Sequence, residues 1–322
     1  MKKSSSLKFI LLLLPIAQSV FAQYSKVDAL VKNYPKSFSN PEQLAAKINR
    51  DFSSDDAKAR AIFTWIATNT TYDLRAAKAG SGTIAYSFTD EADRLRKEQQ
   101  FREKYAQKTL RSGKGICQDY SALFHTLCDL TGLQCIDIVG TSKSHPAHIG
   151  KLPKQNDHEW NAVKIDGRWK LIDVTWASGS VSTQTGKFVH EFNDAYYGTA
   201  PEVFFLNHFP DDERFLMIDK NDSDFAELPL YYGPYIKSDY EIAMPEKGVL
   251  SAKSGVIAFK IIDFPEHSKI AYVFTSEGKV YDAPLRKNGK LSEFEVTLNS
   301  RSRGFLTIYV DRSAIATYKI ER

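Results

Sequence analysis

The strongest strand signal in the chain is the stretch His158-Glu-Trp-Asn-Ala-Val-Lys-Ile-Asp-Gly-Arg-Trp-Lys-Leu-Ile-Asp-Val-Thr-Trp176. Two runs rich in β-branched and aromatic residues, 158–165 and 168–176, are separated by Asp166-Gly167. That dipeptide is a preferred pair for a two-residue type I′ turn. The stretch therefore predicts an antiparallel hairpin.

The turn also sets the register of this hairpin. A two-residue loop pairs Ile165 with Arg168, and counting outward places Asp173 opposite Trp160. Because paired residues share a face and alternate residues return to it, His158 and Asp173 become diagonal neighbours, about 7 Å apart at Cα. An imidazole and a carboxylate can meet across that distance. The carboxylate would then fix the ring tautomer and favour the protonated ring.

Upstream, the segment Gly115-Ile-Cys-Gln-Asp-Tyr-Ser121 opens a predicted helix that ends at Gly132. Cys117 falls in the first turn, where unpaired amides and the helix dipole lower a thiol pKa and can bind a developing oxyanion. Taken singly, a helix cysteine is more simply a small buried hydrophobe, and a strand His beside an Asp a structural pair. Together, in this order, they favour nucleophilic acyl transfer.

These motifs resemble the transglutaminase-like superfamily, in its kyphoscoliosis-peptidase-like branch. Two more segments are similar to that branch, residues 61–73 and 201–212, so the resemblance covers about residues 45–220. It implies a papain-like α+β core of N-terminal helices and a central Cys helix packed on an antiparallel sheet. It also implies that Cys117 is the nucleophile, His158 the general base and acid, and Asp173 its orienting partner, with no metal and no organic cofactor.

The remaining cleft residues are less specific. Tyr72 and Trp65 are candidates for a second oxyanion donor, with a role as core aromatics as the alternative. Gln118 adjoins the nucleophile, although its side chain points about 100° away from that of Cys117 on a helix. Trp160 either edges the cleft or fills the core.

Two metal sites are less favoured alternatives. His145-Pro-Ala-His148 offers two imidazoles without a nearby third ligand. A zinc held by the Cys, His and Asp of the predicted triad is chemically possible, but the residues around them fit the hydrolase-like pattern better. His208, in an aromatic segment, is predicted to be a packing residue.

Cysteine use leaves two arrangements open. Cys117 and Cys128 lie about 16 Å apart along a helix and cannot bond. Cys128 and Cys135 either form a disulfide, which leaves Cys117 free, or remain as two buried thiols.

The composition indicates the class of protein and excludes one kind of binding partner. The 322 residues are 43% apolar and 25% charged, which fits a folded protein of two domains. The formal charge of +4 includes three lysines and no acid in the first 22 residues. Since the remainder is nearly neutral, binding to nucleic acid through a basic surface is excluded.

The first 22 residues predict a secretory signal that is cleaved after Ala22. Their apolar run, Phe9 to Val20, is too short to span a bilayer comfortably, so a retained anchor is the less favoured alternative. Since the first cysteine is Cys117, no lipid can attach at the new N-terminus. We expect a periplasmic or secreted protein with no membrane span after signal removal.

Three segments follow from these patterns: a signal peptide at 1–22, a transglutaminase-like domain at 23–238 and a small β-sandwich at 239–322. In the second segment, caps at Asn40 and Ser53 predict helices, and the charged stretch 91–108 predicts a solvated helix, with a lid as the alternative. The sandwich is predicted from five strand-like runs. They are Val256–Ile262, Ile270–Thr275, Phe294–Leu298, Phe305–Val310 and Ala314–Ile320.

The expected function is that of an exported cysteine enzyme that forms a thioester at Cys117 from a peptide or protein substrate, with a cell-envelope polymer as another candidate. Water as acceptor would make it a peptidase or amidase, and an amine as acceptor would make a cross-link. The alternative is a catalytically silent module that binds a cell-surface polymer or a protein partner.

Overall fold

A computed structural model of the chain describes residues 14–80, 87–154, 156–182, 184–253 and 255–321. These residues form two compact units. The first contains the described residues up to Asp137 together with Asn161–Phe192, and the second contains Ile138–Trp160 with the described residues from Asn193 onward.

Helices dominate the first unit. They are α1 (Leu14–Val31), α2 (Pro41–Asp51), α3 (Asp55–Asn69), α4 (Leu74–Ala79), α5 (Glu91–Ser112), α6 (Cys117–Thr131) and α7 (Val174–Ser178). Its core lies where α2, α3, α5 and α7 pack around α6. The side chains buried there include Leu44, Ile48, Ile62, Phe63, Ile66, Tyr120, Leu123, Phe124 and Leu127.

Side-chain caps fix the helix ends much as the sequence predicts. Asn40 accepts a hydrogen bond from the amide of Gln43 at 3.0 Å. The cap of α3 is Ser54 rather than the predicted Ser53, because the Ser54 hydroxyl accepts from the amide of Ala57. Gly132 ends α6 at a φ of 81°, a left-handed conformation that glycine adopts without strain.

Helix α5 fits the prediction of a largely solvated helix. Its buried residues are Asp93 near its start and Ala106, Thr109 and Leu110 near its end. The C-terminal part therefore packs against the core, and the middle of the helix faces solvent.

Within the described residues, seven strands lie in the first unit or cross its boundary. They are β1 (Thr71–Tyr72), β2 (Lys114–Gly115), β3 (Cys135–Ser142), β4 (His158–Ile165), β5 (Arg168–Ile172), β6 (Gly179–Val181) and β7 (Phe188–His190). β1 and β2 are parallel, and β6 and β7 form an antiparallel pair. The unit boundary passes through β3 and β4.

The predicted hairpin is present, and its second strand is shorter than expected. Ile165 pairs with Arg168 and Asn161 with Ile172, and both turn residues have positive φ, as a type I′ turn requires. The prediction of a strand from 168 to 176 is wrong beyond Ile172. Asp173 caps a helical turn there by accepting from the amide of Trp176, so the chain leaves the sheet.

The second unit adds helices α8 (Pro201–Phe204), α9 (Asp222–Glu227) and α10 (Gly233–Ile236) and many strands. The strands are β8 (Tyr197–Thr199), β9 (His208–Pro210), β10 (Leu230–Tyr231), β11 (Glu241–Met244), β12 (Val249–Ser251), β13 (Val256–Ile262), β14 (Ile270–Phe274), β15 (Val280–Ala283), β16 (Arg286–Asn288), β17 (Leu291–Thr297), β18 (Gly304–Val310) and β19 (Ser313–Glu321).

Two sheets of this unit form the predicted C-terminal sandwich. One has the order β10-β19-β18-β14-β15, with β12 also paired to β19, and the other has the order β11-β13-β17-β16. Their inner faces meet at Phe259 of β13 and Tyr318 of β19, whose rings are 5.3 Å apart. The α+β fold class with strands at the C-terminus is confirmed.

Three further predictions concern the chain ends and the cysteines. The predicted signal segment lies partly outside the described residues, which begin at Leu14. No helix of the described part is long and apolar enough to cross a bilayer. The three cysteines are free thiols. Of the two arrangements for Cys128 and Cys135, the structure has two thiols. Burial and a hydrogen bond to Cys128 raise the pKa of Cys135 well above its usual range.

Candidate active site

Cys117 is the first residue of α6, and its thiol is half-buried and free. The amides of a helix's first turn have no acceptor within the helix. They and the helix dipole therefore favour negative charge at this position. The amide of Tyr120 makes the first helical bond, to the carbonyl of Ile116 at 3.1 Å.

Asp119 holds the start of α6 in place. Its buried carboxylate accepts a hydrogen bond from the amide of Ile116 at 2.9 Å and lies 3.3 Å from the ammonium of Lys108. The same side chain explains the glycine at position 115, since a Cβ there would lie 2.5 Å from the Cβ of Asp119. Gly115 and Asp119 thus fix the backbone on both sides of Cys117.

The backbone before Cys117 is also anchored to β1. Gly115 accepts from the amide of Asp73 at 2.8 Å, and Gly113 accepts from the amide of Thr71 at 2.9 Å. Tyr72 lies between these bonds as the strand partner of Gly115. This predicted oxyanion candidate is therefore beside the loop that leads into Cys117.

Asp173 caps the start of α7, which packs against α6, and the hydroxyl of Ser178 at the end of α7 donates to the phenol oxygen of Tyr120 at 3.4 Å. Tyr120 shares a helix face with Cys117 because it follows three residues later. Burial, with the negative charge of Asp173 among its neighbours, keeps the pKa of Tyr120 well above its usual range. Asp173 itself is fully buried.

His158 opens β4 in the second unit, where it is buried among rings. Its ring centroid is 5.9 Å from that of Trp160 and 5.3 Å from that of His208. His208 stacks on Phe204 at 4.0 Å, and its Nδ1 lies 2.7 Å from the side-chain oxygen of Asn207. Since an amide oxygen only accepts, Nδ1 of His208 carries the proton.

Trp65 and Gln118, two further residues predicted to line the cleft, have different environments. The indole N–H of Trp65 donates to the carbonyl of Pro35 at 3.0 Å, and its ring, 2% exposed, packs on Phe38. That N–H is occupied, so Trp65 has the core role that the sequence left as an alternative. Gln118 is half-buried and directly follows Cys117 in α6.

His145 and His148 make local hydrogen bonds. Nδ1 of His145 accepts from the amide of Ala147 at 3.1 Å, and Nδ1 of His148 lies 3.2 Å from the carbonyl of Ser142. Both rings therefore stabilise the turn at 146–148.

The sequence did not predict that His208 and Asp119 lie beside the proposed reactive groups. His208 packs as predicted, but it also adjoins His158. The signal for it was present in the aromatic segment 201–212 that carries part of the family resemblance. Asp119 has the N3 position of a capping box as its only signal, and its partner at Ile116 is a backbone amide that the sequence does not reveal.

Residues 42–174 match the family model described as the transglutaminase-like superfamily. The kyphoscoliosis peptidase of Mus musculus is 30% identical over 264 residues, covering 80% of this chain and 37% of that protein. The kyphoscoliosis peptidase of Homo sapiens is 29% identical over 284 residues, covering 86% of this chain and 40% of that protein. The chain thus spans about two fifths of the length of these curated relatives.

A solved structure of a TGase aligns with a TM-score of 0.28 and 22% identity over 48% of this chain and 35% of that chain. A likeness this weak carries no argument about the site.

Proposed function

We propose, on the premise that residues 42–174 form a transglutaminase-like domain of the kyphoscoliosis-peptidase-like branch, that this chain is a cysteine enzyme acting on amide bonds. The superfamily and branch predicted from the motifs are confirmed by these matches. The observation that carries the proposal is the free, half-buried thiol of Cys117 at the start of α6, on a backbone held by Asp119 and β1.

The proposed catalytic group is Cys117, His158 and Asp173. The hairpin register supports it, because the last pair joins Asn161 and Ile172. His158 lies three residues before that pair and Asp173 one residue after it, so both belong to the open end of the hairpin. The packing of α7 on α6, where Ser178 contacts Tyr120, supports placing the carboxylate of Asp173 on the Cys117 side of α6.

In the proposed reaction, the sulfur of Cys117 attacks the carbonyl carbon of an amide, and its proton passes to His158. First-turn amides of α6 stabilise the oxyanion. The C–N bond then breaks, and the imidazolium of His158 gives its proton to the leaving amine. Water, activated by the neutral imidazole, attacks the thioester, which releases the acid and restores the thiol.

Hydrolysis of a peptide or amide is the favoured outcome. The two curated relatives are named peptidases, which supports it. Transfer of the acyl group to an amine, giving a cross-link, follows from the same thioester when an amine replaces water.

Alkylation tests the proposed nucleophile. Iodoacetamide near pH 6 should label Cys117 rapidly and selectively, and mass spectrometry should locate the label. The rate should fall to that of an ordinary thiol in His158→Ala and stay unchanged in His145→Ala, a control at an exposed histidine. Slow labelling of the wild-type chain would favour a catalytically silent binding module.

Product analysis separates the two acceptors. The chain is incubated with a peptide library and a fluorescent primary amine, and the acyl group trapped on Cys117 is identified by mass spectrometry. We expect peptide hydrolysis without incorporation of the amine. Predominant incorporation would assign acyl transfer instead.

We also propose that the protein is exported and that cleavage follows Ala22. The basic tip and apolar run of the first 22 residues support this. N-terminal sequencing of the mature protein should begin at Gln23, and an intact N-terminus would contradict export by this route.

A further inference from the structure

The second unit contains a cavity of about 520 Å³ beside β3. Its walls come from the end of β3, the loop between β3 and β4, and α9. The volume lies within the range of about 300–1,000 Å³ that is common for ligand sites. Apolar surface comes from Leu152, Pro153 and Phe225, so the cavity can desolvate part of a ligand.

The charged groups at this cavity are unequal. Lys151 and Lys154 line it, and neither forms an ion pair with a described residue. The one carboxylate in the lining, Asp157, already accepts from the amide of Ser142 at 2.7 Å. The cavity mouth therefore has an excess of positive charge.

His148 adds a polar group that can serve a ligand. Its Nδ1 lies 3.2 Å from the carbonyl of Ser142, so Nδ1 donates and Nε2 of the neutral ring can accept a hydrogen bond from a backbone N–H of a bound peptide. Burial lowers the pKa of His148, with Lys143 and His145 as positive neighbours and Asp157 as the opposing charge.

The cavity adjoins the strand that carries the proposed general base. Ser142, in its wall, is the strand partner of His208, and the ring of His208 is 5.3 Å from that of His158. Asp157, also in its wall, directly precedes His158. A chain bound at His158 can therefore extend into this cavity.

We propose that this cavity is a specificity subsite that binds a carboxylate of the peptide substrate, an inference that rests on the proposed function. Lys151 and Lys154 attract the carboxylate, and the apolar wall receives the methylene groups or backbone beside it. The carboxylate comes from a Glu or Asp side chain or from the peptide's C-terminus. The contact stabilises the bound substrate and the transition state equally, so it should lower KM and leave kcat nearly unchanged.

Charge-matched peptides test the subsite. The full chain is assayed with a hexapeptide library in which each position in turn is Glu or Gln, and with each peptide as a C-terminal acid or amide. We expect a lower KM, by about 3- to 10-fold at low salt, for Glu at one position or for the free acid. If KM falls for Glu at one position, the carboxylate comes from a side chain. If KM falls for the free acid, the carboxylate is the C-terminus of the peptide.

Matched variants assign the gain to the cavity. Lys151→Gln with Lys154→Gln should abolish the preference. Lys220→Gln with Lys253→Gln, which removes two exposed lysines of the same unit, should retain it. The proposal would be overturned if the wild-type chain had equal KM for Glu and Gln at every position and for acid and amide. It would also be overturned if the preference survived in the Lys151→Gln, Lys154→Gln variant.

A binding assay separates this proposal from the proposed function. Full-length Cys117→Ala is titrated with the same peptides carrying fluorescein, and anisotropy is recorded. If Cys117→Ala binds the Glu peptides selectively through Lys151 and Lys154 while the wild-type chain hydrolyses no peptide, the cavity is supported and the enzyme is refuted. Equal binding of Glu and Gln peptides by a chain that does hydrolyse peptides would refute only the cavity.

Discussion

Asp119 positions Cys117 through the backbone, by accepting a hydrogen bond from the amide of Ile116. Substitution of Asp119 therefore tests whether this bond controls the reactivity of the thiol. In Asp119→Ala the buried amide of Ile116 loses its acceptor. We expect the free energy of unfolding to fall by about 1–3 kcal/mol and alkylation of Cys117 to slow. Urea unfolding and iodoacetamide labelling measure the two effects.

Asp119→Asn is the matched control, because it keeps the acceptor oxygen and removes the charge. It should label at least as fast as the wild type. If Asp119→Ala labels at the wild-type rate, the start of α6 does not depend on this bond.

Lys143 gives a prediction about pH. The side chain is 1% exposed, and its Nζ donates to the carbonyls of Phe225, Ala226 and Leu228 at the end of α9. Burial lowers the pKa of Lys143 to about 7, against 10.5 for an ordinary lysine. Between these values the unfolded chain binds a proton that the folded chain has released, so stability contributed by this group rises with pH.

The comparison with Lys143→Met isolates that slope. From pH 7 to 9 the free energy of unfolding of the wild type should rise relative to the variant, by at most about 1.4 kcal/mol per pH unit. Urea unfolding at pH 7, 8 and 9 measures it. Lys151→Met, at an exposed lysine, should follow the wild type, and parallel curves for wild type and Lys143→Met would contradict the prediction.

For single residues, the sequence predicted candidate reactive groups better than it predicted long-range side-chain contacts. Cys117 was placed at a helix start because a glycine and an apolar repeat mark that start locally. Lys143 carried no such signal, since its partners are backbone carbonyls more than 80 residues away along the chain. Trp65 was ambiguous for the same reason, because its acceptor at Pro35 is defined by packing.

Among the elements, α7 shows where local pattern and capping compete. Residues 168–176 have strand-like composition, yet the chain turns at Asp173 because its carboxylate caps the amide of Trp176. The first five pairs of the hairpin follow from the turn alone. The end of the strand could not be predicted, since an Asp in a strand pattern does not reveal that its side chain will bind the backbone.

Asp173 therefore has a structural role and a proposed catalytic role, which two substitutions separate. Asp173→Asn keeps a cap oxygen and should unfold like the wild type, whereas Asp173→Ala should lose about 0.5–2 kcal/mol. Both should lose about 10²–10⁴-fold in kcat, because neither orients an imidazolium with a charge. Thermal unfolding and peptide hydrolysis measure the effects, and an active Asp173→Asn enzyme would remove Asp173 from the triad.

At the scale of the whole molecule, the alternating pattern of the sequence predicted the strands of the sandwich but not where the domain begins. The five predicted runs correspond to β13, β14, β17, β18 and β19. The two-residue strand β10 lies before residue 239 and pairs with β19, Leu230 with Thr317 and Tyr231 with Ala316. A strand of that length has no periodicity to detect, so the boundary at 238/239 stays a prediction.

Fragments test this boundary, because β10 covers an edge of β19. Leu230 and Tyr231 are buried, and Tyr232 shares a hydrogen bond of 2.9 Å with Thr317. Each buried side chain contributes about 1.5–3 kcal/mol, which is comparable to the whole stability of so small a domain. We expect fragment 239–322 to aggregate through the exposed edge and to lack a cooperative transition. Fragment 228–322, which restores β10 and α10, should be monomeric and unfold cooperatively in circular dichroism. A shorter fragment that is equally monomeric and stable would show that β10 is dispensable and that the sandwich begins at residue 239.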